Sequence, residues 1–348
     1  MEQLALRFPH LASNIFEQLD NLSLVNCKET SRRLDNFFGN EKLFWLRIIH
    51  KYKGNFVEFK ETWNKTLKKT PIIHVKVLSL ATHNFFLKYS STRFAKQWHP
   101  LHIAADQGLL ELYKYIAGKT DDMDPKGFMG RTALLLAVQG GHLEVSKFII
   151  ERIEDKNPKD DIGLTPLHMA AKCGHFETCK LIMKYLDDKN PKDNDEWTPL
   201  HYAVIWGHLD VCKLIMDNIV DKNPTATKSG LTPLHLAAKK GQLEVCKIIV
   251  KYLIDKNPKN KYGMTPLHWA VRYGHLEVCS FLIQEASEKN PQDRYGKTPL
   301  HHAMELNHLE ISKLISSYLA QENSPNHGGI KKWLSMKLMS ISLYLLGH

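Results

Sequence analysis

Several signals are missing from this sequence, and each absence narrows what the chain can be. No run of about 18 uninterrupted apolar residues occurs, so no membrane-spanning helix is expected. Residues 1–20 lack the basic start and unbroken apolar stretch of a secretory signal, and none is expected. There is no HExxH, no phosphate-binding glycine loop, no GxSxG and no paired zinc cysteines. An enzyme is not expected, and neither a cofactor nor a metal is called for. Cysteine is scarce, at six in 348 residues. Four of the six, Cys179, Cys212, Cys246 and Cys279, follow one another at spacings of 33, 34 and 33. Thiols that recur once per structural layer sit about a helix diameter apart. That is too far for a disulfide and unlike a zinc cluster. They read as small buried apolar side chains, which implies a reducing compartment, the cytoplasm or the nucleus.

Charge bias is also missing from most of the chain. Residues 99–319 hold 28 Lys/Arg against 28 Asp/Glu, while residues 1–98 hold 16 against 8. The net charge of +10 therefore comes mainly from the front, especially the lysines between Lys51 and Lys96. Those lysines read as a solvated face. A nucleic-acid partner is not expected, because the repeated part has no pull on phosphate.

What is present is repetition. "TPLH" stands at 165–168, 198–201, 232–235, 265–268 and 298–301, with weaker copies "HPLH" at 99–102 and "TALL" at 132–135. The starts are 99, 132, 165, 198, 232, 265 and 298, and the one extra residue falls in the loop "DKNPTATKSG". Each letter has a physical reason. Thr caps a helix, and Pro occupies the first helical position, where its missing N–H costs nothing. Leu and Ala make a slim apolar face. Glycine ends the first helix in a left-handed conformation at Gly108, Gly141, Gly174, Gly207, Gly241 and Gly274, with Asn307 as the seventh. A second amphipathic helix follows, as over 175–186, and "DKNP" stops it.

Two antiparallel helices and an extended turn per unit resemble the ankyrin repeat, whose signature "TPLHxAA", "GHLEVCKLI" and "xxGxTPLH" appears here in order. The resemblance covers about residues 99–319 and implies an all-α ankyrin solenoid with short β-turn hairpins. Ile153, Leu186, Ile219, Leu253 and Ala286 replace the family's glycine after helix two, so that helix is expected to run slightly longer. Glu196 replaces the turn glycine found at Gly163, Gly230, Gly263 and Gly296, so that turn is expected to be distorted.

The chain has 19 histidines, and the repeat explains most of them. His168, His201, His235, His268 and His301 lie in the first turn of helix one, where they are expected to bond to the neighbouring Thr and to turn backbone. His142, His175, His208, His275 and His308 open helix two. Neither set is expected to form a metal cluster.

By resemblance, ankyrin arrays recognise proteins through the turn tips and the exposed side of helix one. Those positions give Phe128, Met129, Arg131, Ile162, Leu164, Lys172, Trp197, Ile205, Trp206, Leu231, Lys239, Lys240, Tyr262, Met264, Arg272, Tyr273, Tyr295 and Lys297. The set is rich in Trp, Tyr and Arg, the types that dominate binding hot spots. It is centred on Trp197, Trp206, Arg272 and Tyr273. The alternative for any single ring is packing against a neighbouring turn.

The front differs. Leu11, Ile15 and Leu19 mark one helix face, Leu24 to Phe38 a second stretch, and "EKLFWLRIIHKY" a third. Phe8-Pro9, then Ile15-Phe16-x-x-Leu19-Asp20, Ser23-Leu24-x-x-Cys27 and Ser31-Arg32 resemble an F-box over about 7–50. Leu34 stands where the family's Trp is usual. The resemblance implies that a small three-helix module docks on the adapter subunit of a cullin–RING ubiquitin ligase through Phe8, Pro9, Ile15, Leu19, Leu22, Leu24, Val25 and Cys27. The competing reading is a cap that seals the first repeat. Residues 51–98 read as two amphipathic helices that buttress the array. Residues 320–348 read as a linker and an apolar tail, which folds back as a cap or lies on a membrane surface.

The expected function is therefore a substrate-recruiting adaptor, monomeric, holding an unidentified client protein in its groove. The competing class is an ankyrin scaffold without a part in ubiquitination.

Overall fold

In the computed structural model, the described residues are 98–226 and 229–322. The expected F-box-like module at 1–50, most of the 51–98 connector and most of the 320–348 tail lie outside them. Thr and the proline behind it start each helix one. Thr165, Thr198, Thr232, Thr265 and Thr298 all have extended N-cap backbones followed by Pro at the first helical position. In each, the hydroxyl takes the backbone N–H of the histidine three residues on, and that histidine's ring takes the threonine's own N–H. This is a capping box with His in place of the usual Glu or Gln.

The chain divides into two units, residues 1–194 and 195–348. In the first, α1 (Pro100–Asp106), α3 (Ala133–Gln139) and α5 (Pro166–Cys173) pack side by side. Behind them run α2 (Leu110–Ala117), α4 (Leu143–Ile150) and α6 (Phe176–Met183). In the second, α7 (Pro199–Trp206), α9 (Pro233–Lys240), α11 (Pro266–Arg272) and α13 (Pro299–Glu305) form one layer. The other layer is α8 (Leu209–Asn218), α10 (Leu243–Tyr252), α12 (Leu276–Glu285) and α14 (Leu309–Glu322). Both cores are built from repeating positions. Leu101, Leu134 and Leu167 are fully buried in the first unit, and Leu200 and Leu234 in the second. Each such leucine contributes about 1.5–3 kcal/mol relative to an exposed one. Cys179, Cys212, Cys246 and Cys279 are buried and unpaired, as their spacing requires. Burial pushes all four thiols up to about 12.

The turns before helix one are closed by backbone bonds. The N–H of Asp160, Asn260 and Asp293 donates to the carbonyl of Leu164, Met264 and Lys297, at 3.0, 3.0 and 2.8 Å. The fourth turn closes from Ala226 to Leu231, one residue wider, which absorbs the extra residue of the 34-residue step. That pair is the one isolated β-bridge among the described residues, and no longer strand occurs among them. Neighbouring turn tips are also joined, as in Asp161 N–H to Met129 O and Arg294 N–H to Tyr262 O, at 3.0 and 2.9 Å.

Two expectations need correction. Glu196 does not distort its turn; it adopts the left-handed backbone of the glycines it replaces, at φ 61°. Nor do the apolar residues after helix two simply lengthen it. Helix two has eight residues at α4 and α6 and ten at α8, α10 and α12. Ile219, Leu253 and Ala286 end their helices in extended backbone with buried side chains, a conformation that does not require glycine. In three repeats the lysine of the loop after helix two, from "DKNP" or its variant "EKNP", caps the helix it follows. Lys289 Nζ donates to the carbonyls of Ile283 and Ala286 at 2.7 and 3.1 Å, and Lys156 and Lys222 act alike. A cation is favourable there because the last carbonyls of a helix are unpaired and negative.

Candidate protein-binding surface

The histidines hold the repeats together. In the helix-one set, Nδ1 accepts the threonine N–H, so the ring proton sits on Nε2. That nitrogen donates to the residue just before the next repeat's Thr: His201 to Leu231 O at 3.3 Å, His235 to Met264 O at 2.9 Å, His268 to Lys297 O at 3.3 Å. His102 does the same toward Arg131 O at 3.1 Å. Burial lowers His102, His235 and His268 to about 4, because a charged ring would lose its water. The helix-two set reaches backwards. Nε2 of His142, His175 and His275 donates to the carbonyls of Asp106, Gln139 and Lys239, at 2.8, 3.1 and 3.0 Å.

One group of histidines invites a metal. Ligand atoms of His268, Asp293 and His302 lie within 4.8 Å of one another. The donor set does not suit an ion. His268 Nδ1 is taken by the Thr265 N–H at 3.0 Å and hydroxyl at 2.9 Å, so Nε2 carries its proton and bonds the Lys297 carbonyl. Asp293 Oδ1 accepts from Tyr295 N and Lys297 N at 2.8 and 2.9 Å, and Oδ2 bonds His302 Nε2 at 3.1 Å. The three residues form a hydrogen-bonded joint between two repeats.

The surface positions fall into three groups. Leu164 and Met264, expected in the groove, are only 3% and 8% exposed; each lies beneath its turn, so neither offers surface. Phe128 and Trp197 are half-buried and pack on neighbours, Phe128 edge-on against Trp98 at 6.2 Å and Trp197 against His201 and Tyr202 at 5.6 and 5.8 Å. Arg131, Lys172, Ile205, Leu231 and Lys239 are partly covered, with Arg131 donating to Gln139 Oε1 at 3.3 Å. Met129, Ile162, Trp206, Lys240, Tyr262, Arg272, Tyr273, Tyr295 and Lys297 are exposed, with Trp206 at 58% and Tyr295 at 70%. The offered surface of residues 195–322 is therefore centred on Trp206, Arg272 and Tyr273, without Trp197.

Two residues not foreseen complete that surface. Trp269 stacks on Tyr273 with centroids 6.0 Å apart, and Lys239 Nζ lies over both rings at 5.4 and 5.5 Å. Arg294 lies over Tyr262 and Tyr295, at 5.7 and 5.0 Å. The spacing of Trp269 and Tyr273, i and i+4 on one helix face, could have signalled the first pair. Turn and helix one share this face, since Lys297 of a turn pairs with Glu305 at the end of α13 at 2.9 Å.

The layered helix pairs, capped by repeated Thr-Pro and stapled by histidine, define a helical-repeat binding protein. The family model "Ankyrin repeats (3 copies)" matches residues 73–160, 153–226, 187–260, 218–293 and 249–326, and the chain belongs to the ankyrin-repeat family. No curated protein matches it. Ankyrin repeats are in general a protein-binding scaffold without catalysis. Among the described residues, no helix is long and apolar enough to cross a membrane.

Proposed function

We propose that this chain recruits a client protein to a cullin–RING ubiquitin ligase. The client sits on the exposed surface of residues 195–322, and the segment 7–50 docks on the ligase adapter. The observation that carries the first half is the exposure of Trp206, at 58%, and of Tyr273, whose ring lies beneath Lys239, on the same layer of helices. The second half is supported by the residue order that resembles an F-box, with Phe8, Pro9, Ile15, Leu19, Leu22, Leu24, Val25 and Cys27 as the docking set. Such an adaptor needs no reacting group of its own. Holding the client beside the transfer site raises its effective concentration, and that is its whole contribution. The unpaired, buried thiols suit a reducing cytoplasm or nucleus.

The test is affinity purification of the full chain, read by mass spectrometry. The expected result is capture of the ligase adapter and cullin, lost on Leu19→Asp or Val25→Asp. Trp206→Ala with Tyr273→Ala is expected to keep those subunits and to lose the client. Capture of a client with no adapter or cullin would leave the scaffold reading in place and remove the ligase.

A further inference from the structure

We infer that the surface of residues 195–322 takes an extended, acidic peptide segment of a separate protein, with carboxylates spaced to match successive repeats. This rests on the reading that the array binds a protein, and it names the chemistry of what is bound.

The argument starts from unbalanced charge. Residues 99–319 are neutral as a whole, yet among the described residues no carboxylate pairs with Lys239, Lys240, Arg272 or Arg294. Glu305 on the same face is already held by Lys297 at 2.9 Å. Its carboxyl is held below the usual range by that lysine. An incoming carboxylate would therefore meet cations that lack a partner of opposite charge, beside rings that exclude water and strengthen the attraction.

The rings argue against a nucleic acid. Binding of single strands depends on open aromatic faces on which bases stack. Here Lys239 lies over a face of both Trp269 and Tyr273, and Arg294 lies over Tyr262 and Tyr295. Each cation has several N–H donors with which to meet a carboxylate. Among the described residues no cation lies over Trp206, which is 58% exposed and is left to anchor an apolar side chain of the ligand.

The chain's own outlying segments do not fit. Residues 1–97 hold twice as many basic as acidic residues, and residues 323–348 hold three lysines and no Asp or Glu. Both would be repelled. The spacing follows from geometry. Neighbouring helices of one layer sit roughly 8–10 Å apart, and a chain extended in the polyproline II conformation rises about 3.1 Å per residue with three residues per turn, so every third side chain shares one face. One repeat thus corresponds to about three ligand residues, so acidic side chains at every third position meet successive repeats.

The experiment uses the full chain and three labelled probes, read by fluorescence anisotropy. They are a twelve-residue peptide with Glu at every third position and one Trp, the same peptide with Gln for Glu, and a twelve-base oligothymidine. The Glu peptide is expected to bind about tenfold or more tighter than the Gln peptide, weakening as salt rises. Lys239→Gln with Arg294→Gln should remove that preference while the thermal midpoint stays unchanged. Equal binding of the two peptides, or tighter binding of the oligonucleotide, overturns the inference. A client lost on Trp206→Ala with Tyr273→Ala but indifferent to Lys239→Gln with Arg294→Gln would overturn it too, and would leave the recruiting function intact.

Discussion

Gly241 and His275 belong to successive repeats and are fitted to each other. A β-carbon on Gly241 would lie 2.6 Å from Nδ1 of His275, whose Nε2 bonds the Lys239 carbonyl at the end of the same helix. The glycine is thus required twice, for its φ of 71° and for the space the neighbouring ring occupies. Gly141 stands in the same relation to His175, at 2.7 Å.

Gly241→Ala is therefore expected to destabilise by more than the left-handed backbone alone would cost, about 1–2 kcal/mol. In a His275→Ala background the clash is gone, and the same substitution should cost about 1 kcal/mol less. Urea unfolding of the two single variants and the double variant measures the coupling. A coupling of zero would show that the ring simply moves aside.

Glu196 presents the opposite case. It holds a φ of 61° where five other turns place glycine, Gly130 among them. Glu196→Gly should raise stability by about 1 kcal/mol by relieving that backbone. Thermal unfolding checks it, and a lower midpoint would mean that the glutamate side chain contributes more than its backbone costs.

The buried histidines make the array acid-labile. His235 titrates at about 4 in the fold and near 6.5 in the unfolded chain. The unfolded state therefore binds more protons between these values, and stability is complete above about pH 6.5 and falls as pH drops toward 4. His235→Gln keeps a capping box with Thr232 but cannot titrate. It is expected to lose about 1 kcal/mol at pH 7 with the bond to Met264, and to show a shallower fall in urea midpoint from pH 7 to 4.

Asp124 should tilt stability the other way. It stands where the later repeats carry Asn157, Asn190, Asn223, Asn257 and Asn290, and its Oδ1 accepts the Leu134 N–H at 2.7 Å. It lies in a cleft of about 580 Å³ that also holds Asp121, Asp122, Glu154 and Asp155. Loss of hydration raises its carboxyl to about 7, with Asp122 adding to the effect. The unfolded carboxyl ionises near 4, so this group favours the fold at low pH and that contribution is lost as pH rises toward 7. Asp124→Asn should gain on the order of 1 kcal/mol at pH 8 and nothing at pH 4, by unfolding at both values.

The local architecture was legible because its causes are local. Thr-Pro caps, the left-handed glycines with Asn307 among them at φ 57°, and the threonine-to-histidine bonds all lie within a few residues of one another in the chain. The turn-closing Asp160, Asn260 and Asp293 carry an equally local signal, a side-chain oxygen bonding the N–H groups two and four residues on. The position varies between repeats, as Asp160, Asp193, Ala226, Asn260 and Asp293, so it does not stand out as a fixed motif.

The sequence by itself determined that this is a neutral array of paired helices with buried thiols and bonded histidines, since each of those properties repeats with the 33-residue unit. Only the tertiary structure decided which large side chains remain at the surface. Leu164 goes under its turn while Ile162, two residues earlier, stays out, and Trp269 joins Tyr273 beneath a lysine from the preceding repeat. The physical reason is that exposure depends on atoms supplied by the neighbouring repeat, about 33 residues away, and no local pattern records what those atoms cover.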